Sequence, residues 1–153
     1  MAKLLIQNFD AVHFEPLIPI TLNNLLMMNA QFILSEVPKL SDKGLNMYIR
    51  LWLKNRSSKL EYLKLDFYRL LHVPNENQQI RILNENLIFK GVDYIERSRN
   101  SRRLFEFSFD FDPSSYSQWK VINGGFDIKR QDGTMCTVLI NSNYSSFEMF
   151  VWP

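Results

Sequence analysis

Cysteine is nearly absent. Cys136 stands alone among 153 residues, so the chain can form neither an internal disulfide nor a cysteine-based zinc site, which suits a reducing compartment. Histidine is almost as scarce: His13 and His72 are the only two, neither falls in a metal-ligand or catalytic spacing, and no triad assembles around them or around Cys136. No apolar run approaches the roughly 18–20 residues that cross a bilayer, and Leu4 to Ile6 behind Met1, Ala2 and Lys3 is too short for a secretory signal core. A phosphate-cradling glycine loop is missing too, since Gly124-Gly125 has no Lys-Ser/Thr after it. These absences imply a soluble, cytoplasmic protein that is not an enzyme and needs no cofactor or metal. Charge of one sign is also lacking: 18 Lys and Arg against 16 Asp and Glu leave +2, too little for the sum alone to imply a polyanionic partner.

What is present is uneven. Arg97, Arg99, Arg102 and Arg103 fall within seven residues that hold no acid. With 46% hydrophobic and 22% charged positions, the composition is that of a globular chain able to enclose one core.

Periodicity places the elements. A short strand is expected near Leu4 to Phe9 and a helix over about Thr21 to Glu36, where Leu22, Leu25, Leu26, Phe32 and Ile33 recur at helical spacing before Pro38. Ser41 offers an N-cap, and Leu45, Tyr48, Ile49, Trp52 and Leu53 lay one apolar stripe along the helix that follows, with Arg50, Lys54 and Arg56 off it in solvent. Leu60 to Leu65 reads as extended and Asp66 to His72 as helical, ended by Val73-Pro74. Asn75 then caps a third helix that buries Ile80, Leu83 and Leu87 and stops at Gly91. Val92 to Glu96 and Leu104 to Phe111 form an antiparallel hairpin with the arginines at its tip. After Pro113 the signals are β: Gln118 to Asn123, Phe126 to Arg130, Thr134 to Ile140 and Phe147 to Trp152, with turns at Asn123-Gly124-Gly125 and Asp132-Gly133.

Helix, extended segment, helix, turn, helix and hairpin over Leu40 to Phe111 resembles the winged-helix family of DNA-binding domains, especially those in plasmid and phage replication and regulatory proteins. The local match runs through Leu65-Asp66-Phe67-Tyr68-Arg69-Leu70-Leu71-His72-Val73 and on to Ile80, Leu87, Gly91, Val92 and Ile95. Asn84 departs from it, standing where the family has an apolar residue. The resemblance implies an α+β chain: residues 1–39 as a strand and helix extension, 40–112 as a winged helix, and 113–153 as a small antiparallel β appendage.

It further implies double-stranded DNA as the partner, in replication, transfer or transcription. If Ile80, Leu83 and Leu87 face the core, then Gln78, Arg81, Ile82 and Glu85 face the major groove as base readers. Asn77 and Gln79 lie nearer the edge, and with Arg97, Arg99, Arg102 and Arg103 of the wing they would contact the backbone. A homodimer would suit paired half-sites, joined through either Thr21 to Glu36 or the C-terminal strands. Two alternatives stand beside this reading. A winged helix can serve as a protein-docking platform without DNA, and Asp127-Ile128-Lys129 with Asp110 or Asp112 upstream loosely matches the carboxylate spacing of metal-dependent nucleases.

Overall fold

Two short crossover helices and a run of alternating apolar strands organise the described residues, 9–67, 81–108 and 118–153 of a computed structural model, into one mixed sheet. Strands β1 (Ala11–Phe14), β2 (Phe32–Glu36) and β3 (Tyr62–Asp66) run parallel, with Ala11 opposite Phe32 and Phe32 opposite Tyr62. Parallel neighbours need a crossover, and helices α1 (Leu22–Met27) and α2 (Asp42–Lys54) supply the two here. A four-residue α3 (Glu85–Ile88) then precedes an antiparallel run of β4 (Ile95–Glu106), β5 (Trp119–Lys129), β6 (Met135–Asn141) and β7 (Ser146–Val151). The last strand returns to the middle and pairs with β3, giving the order β1-β2-β3-β7-β6-β5-β4.

The helices begin where their caps dictate. Thr21 Oγ1 accepts from the Asn24 N–H while Asn24 Oδ1 accepts from the Thr21 N–H, a reciprocal capping box. Ser41 Oγ accepts from Gly44 N at 3.1 Å, and Asp42 in the first turn with Lys54 in the last complements the α2 dipole. Leu45, Tyr48, Ile49 and Trp52 bury the α2 stripe against Ile33, Leu63, Val138 and Met149 of the sheet. Alternate residues build a second, aromatic cluster on the opposite face from Phe32, Tyr62, Phe105, Ile122 and Phe150.

This sheet replaces the winged helix expected from the sequence, and several local readings changed with it. The Thr21 to Glu36 helix ends at Met28, and Phe32 to Glu36 is a strand because Gln31 N and Phe32 N both donate to Asp10 O, which starts the parallel ladder. Spacing alone could not separate these, since apolar positions seven and eight apart fit either a helix face or two successive elements. Within the expected third helix only Glu85–Ile88 is helical, capped by the Asn84 side chain on Leu87 N at 3.2 Å, and Leu87 is exposed where Ile88 is buried. Residues 75–80 of that helix, Tyr68 to His72 of the preceding one, Leu4 to Asn8 of the N-terminal strand and Phe109 to Phe111 lie outside the described residues.

The expected β appendage is the middle of the sheet instead. Asp132-Gly133 makes its turn, with Arg130 N donating to Thr134 O at 2.8 Å, but Asn123-Gly124-Gly125 does not. There β5 continues past an out-of-register stretch of β4, between the Arg97–Gly125 and Arg102–Asn123 pairs. Glycine is required by crowding. A Cβ on Gly125 would stand 2.7 Å from Leu139 Cδ2 and 2.8 Å from Thr137 Cγ2, and φ there is +94°.

Candidate functional site

The arginine-rich stretch lies inside β4, at the edge of the sheet, and not at a hairpin tip. Asp127 on the neighbouring β5 is 4% exposed and holds two of the four cations. Its Oδ2 accepts from Arg97 Nε at 2.6 Å and Arg103 Nη1 at 3.0 Å; its Oδ1 accepts from Arg103 Nη2 at 3.0 Å and Thr137 Oγ1 at 2.6 Å. Trp152 Nε1 donates to the same threonine oxygen at 2.9 Å. Burial pushes the Asp127 carboxyl upward, but the hydrogen bonds from Arg103, Thr137 and Arg97 outweigh it and hold the group below the usual carboxylate range. Arg97 and Arg103 are thereby committed to an internal carboxylate, while Arg99 and Arg102 remain exposed.

A second polar pair sits on the same aromatic face. Glu148 accepts from the Tyr62 hydroxyl and pairs with Lys120, whose ammonium lies 5.2 Å from the Phe150 ring centroid. Burial raises the Tyr62 phenol and the nearby Glu148 charge raises it further. Both interior carboxylates are thus neutralised by partners inside the fold.

The expected base readers do not converge. Arg81 is turned inward: it donates to Leu40 O and, at 2.6 Å, to Asp42 Oδ1, and its guanidinium carbon lies 4.3 Å from the Phe67 ring centroid. It ties the segment before α3 to the start of α2. Ile82 on that segment and Glu85 at the start of α3 are exposed, and Asn77, Gln78 and Gln79 lie outside the described residues. The nuclease alternative meets a physical obstacle, because both Asp127 oxygens are filled by guanidinium and hydroxyl donors that exclude a divalent cation. Among the described residues no group of three or more His, Cys, Asp or Glu is placed to hold a metal; Asp110 and Asp112 are outside them.

A feature that sequence reasoning missed lies between α1 and α2. Leu25, Leu26 and Met28 form one wall and Tyr48, Leu51 and Trp52 the other, around a cavity of about 280 Å³ that ends at Asn55 and Ser58. Its signal was present in the sequence: Met47 and Leu51 stand four apart on α2 beside the buried stripe, and both are exposed. Such a concave groove, apolar on its two helical walls and polar at the Asn55 and Ser58 end, can hold the side chains of a bound segment. No helix among the described residues is long and apolar enough to cross a membrane.

The profile of the family described as F-box associated matches residues 1–65, under half of the chain. The F-box associated domain-containing protein sdz-33 of Caenorhabditis elegans is 25% identical over 142 residues, covering 93% of this chain and 38% of that protein. The chain therefore spans less than two fifths of the length of the curated relative it matches. No solved structure matches it. The similarity found is to F-box associated proteins, and it overturns the winged-helix resemblance together with its plasmid, phage, replication and transcription setting. Double-stranded DNA as partner falls with that resemblance.

Proposed function

We propose that the chain is a non-catalytic protein-interaction module of the F-box associated kind, which holds a partner protein in the setting of a ubiquitin ligase. The observation that carries this reading is the similarity to an F-box associated domain-containing protein across 93% of the chain. Of the alternatives open from the sequence, it takes up protein docking, on a mixed sheet in place of a winged helix.

The surface chemistry supports it. Interface centres favour Met, aromatic residues and Arg and are depleted in Lys and Glu. Leu26 and Leu51 of the groove, and Met47 one turn before Leu51, are exposed apolar residues of the kind an interface centre uses. The interior carboxylates Asp127 and Glu148 are spent on structure.

The test is to join the chain to an F-box-bearing ligase subunit and compare ubiquitinated proteins with and without it by quantitative mass spectrometry. A set of proteins modified only when the chain is attached is the expected result; identical sets refute the reading. A titration against random duplex at low salt should show no retardation at micromolar protein.

A further inference from the structure

We propose that the groove between α1 and α2 is the docking site, and that its occupant is an acidic segment of a partner protein anchored by apolar side chains. This rests on the interaction-module reading and names the surface and the chemistry of the partner.

Size speaks for a segment. At about 280 Å³ the cavity stands at the small end of sites that enclose a whole small molecule, and it is open, which suits one or two apolar side chains of a longer chain. Two of its lining residues are open to solvent, Leu26 at 41% and Leu51 at 40%, and Met47, 52% exposed, stands one turn before Leu51 on α2.

Charge decides the kind of segment. Residues 16–35, which contain the α1 wall, carry no charged side chain at all. Residues 43–60, which contain the α2 wall, hold Lys43, Arg50, Lys54, Arg56 and Lys59 and no acid. All five cations are exposed, and none makes an ion pair among the described residues. Asp42, the one carboxylate at the start of α2, is taken by Arg81.

On a helix, positions three and four apart are neighbours. Lys43 and Arg50 therefore flank Met47, and Lys54 flanks Leu51, so a cationic row runs along the outer side of the apolar ridge. Arg50 and Lys54 are themselves four apart, a like-charge pair that destabilises the helix slightly when left alone. Carboxylates laid along this row would relieve that repulsion while the apolar anchors fill the groove, and complementary charge of this kind speeds and orients docking. An anionic membrane would meet the same charges. It does not fit the concave shape, because the main apolar stripe of α2 faces the core and only Met47 and Leu51 project outward.

The experiment selects short peptides from a random library against the whole chain and measures affinities of those enriched, with anionic phospholipid vesicles and random duplex as further probes. Enriched peptides should be acidic and carry at least two large apolar residues. Leu51→Ser, and separately the pair Arg50→Glu and Lys54→Glu, should each weaken them by about tenfold or more, with cooperative melting retained and only a small fall in Tm, because Leu51 is partly exposed and both cations face solvent. Raising salt should weaken wild-type binding too. Neutral or basic winners, binding unaffected by these variants, or tighter binding to vesicles or duplex than to any peptide would overturn the proposal. A chain that directs ubiquitin transfer when joined to an F-box, yet enriches no peptide on this groove, would sink this inference and leave the interaction-module reading standing.

Discussion

Asp127→Ala is the perturbation whose outcome the structure dictates most directly. The carboxylate accepts four hydrogen bonds, three of them from guanidinium groups at 2.6, 3.0 and 3.0 Å and one from Thr137 at 2.6 Å. Its removal leaves two cations side by side. Breaking a fully buried pair costs roughly 3–5 kcal/mol, but Arg97 and Arg103 are 42% and 27% exposed, and water screens the repulsion left behind. We therefore expect a loss near the lower bound, about 3 kcal/mol, or roughly 6–12 °C in Tm for a chain of this length. Asp127→Asn, which keeps the shape and one acceptor but not the charge, should lose about half as much.

Urea unfolding at several pH values measures both variants, and acid provides the sharper check. The folded Asp127 carboxyl lies below its ordinary value of 3.8, so its contribution is present in full above that value and drains away as pH falls through the lower folded one. The stability gap between wild type and Asp127→Asn should stay constant from pH 7 to about pH 5 and narrow below about pH 4. A loss under about 1 kcal/mol for the alanine variant, or a gap that persists into acid, would refute the account of this cluster.

Further outcomes follow from the same structure. Gly125→Ala should cost about 3 kcal/mol, because its Cβ would stand 2.7 Å from Leu139 at φ +94°. Gly133→Ala, with φ +93° but nothing within 4 Å, should cost only about 1 kcal/mol; equal losses in chemical denaturation would contradict the crowding argument. Ser41→Ala removes the cap on Gly44 and should lower stability by about 1 kcal/mol, read as a shift in the urea midpoint with unchanged slope. Replacing Arg99 and Arg102 together with alanine should alter Tm by no more than the equivalent of about 0.5 kcal/mol, whereas Arg103→Met should destabilise clearly. A melt that ranked these two the other way would show that the wrong arginines have been placed on Asp127.

Some of this was legible in the residues. Ser41 followed by Leu45, Tyr48, Ile49 and Trp52 specifies α2 almost without context, because a cap and a stripe at period 3.6 are local properties of one segment. The strands near 62–66, 135–141 and 146–151 were visible in the same way, and so was the turn at Asp132-Gly133. The groove left a weaker trace, two exposed apolar residues on an α2 with no acid after Asp42, beside an uncharged α1, which acquires meaning only once the two helices are neighbours.

What sequence periodicity could not determine is which elements pair. Phe32 and Ile33 extend the helical spacing of Leu22 and Leu25, but the Asp10 carbonyl captures the amides of Gln31 and Phe32 and makes them a parallel strand. Asn123-Gly124-Gly125 has turn chemistry, yet the close approach of Thr137 and Leu139 uses the glycines to let β5 run on. The arginines of β4 read as a free cationic surface until Asp127, some thirty positions away in the chain, takes two of them. Composition and local spacing act over one helical turn or a few residues of strand. Strand order, the commitment of a charge and the walls of a groove are made by partners distant in sequence, so they were settled by the tertiary structure alone.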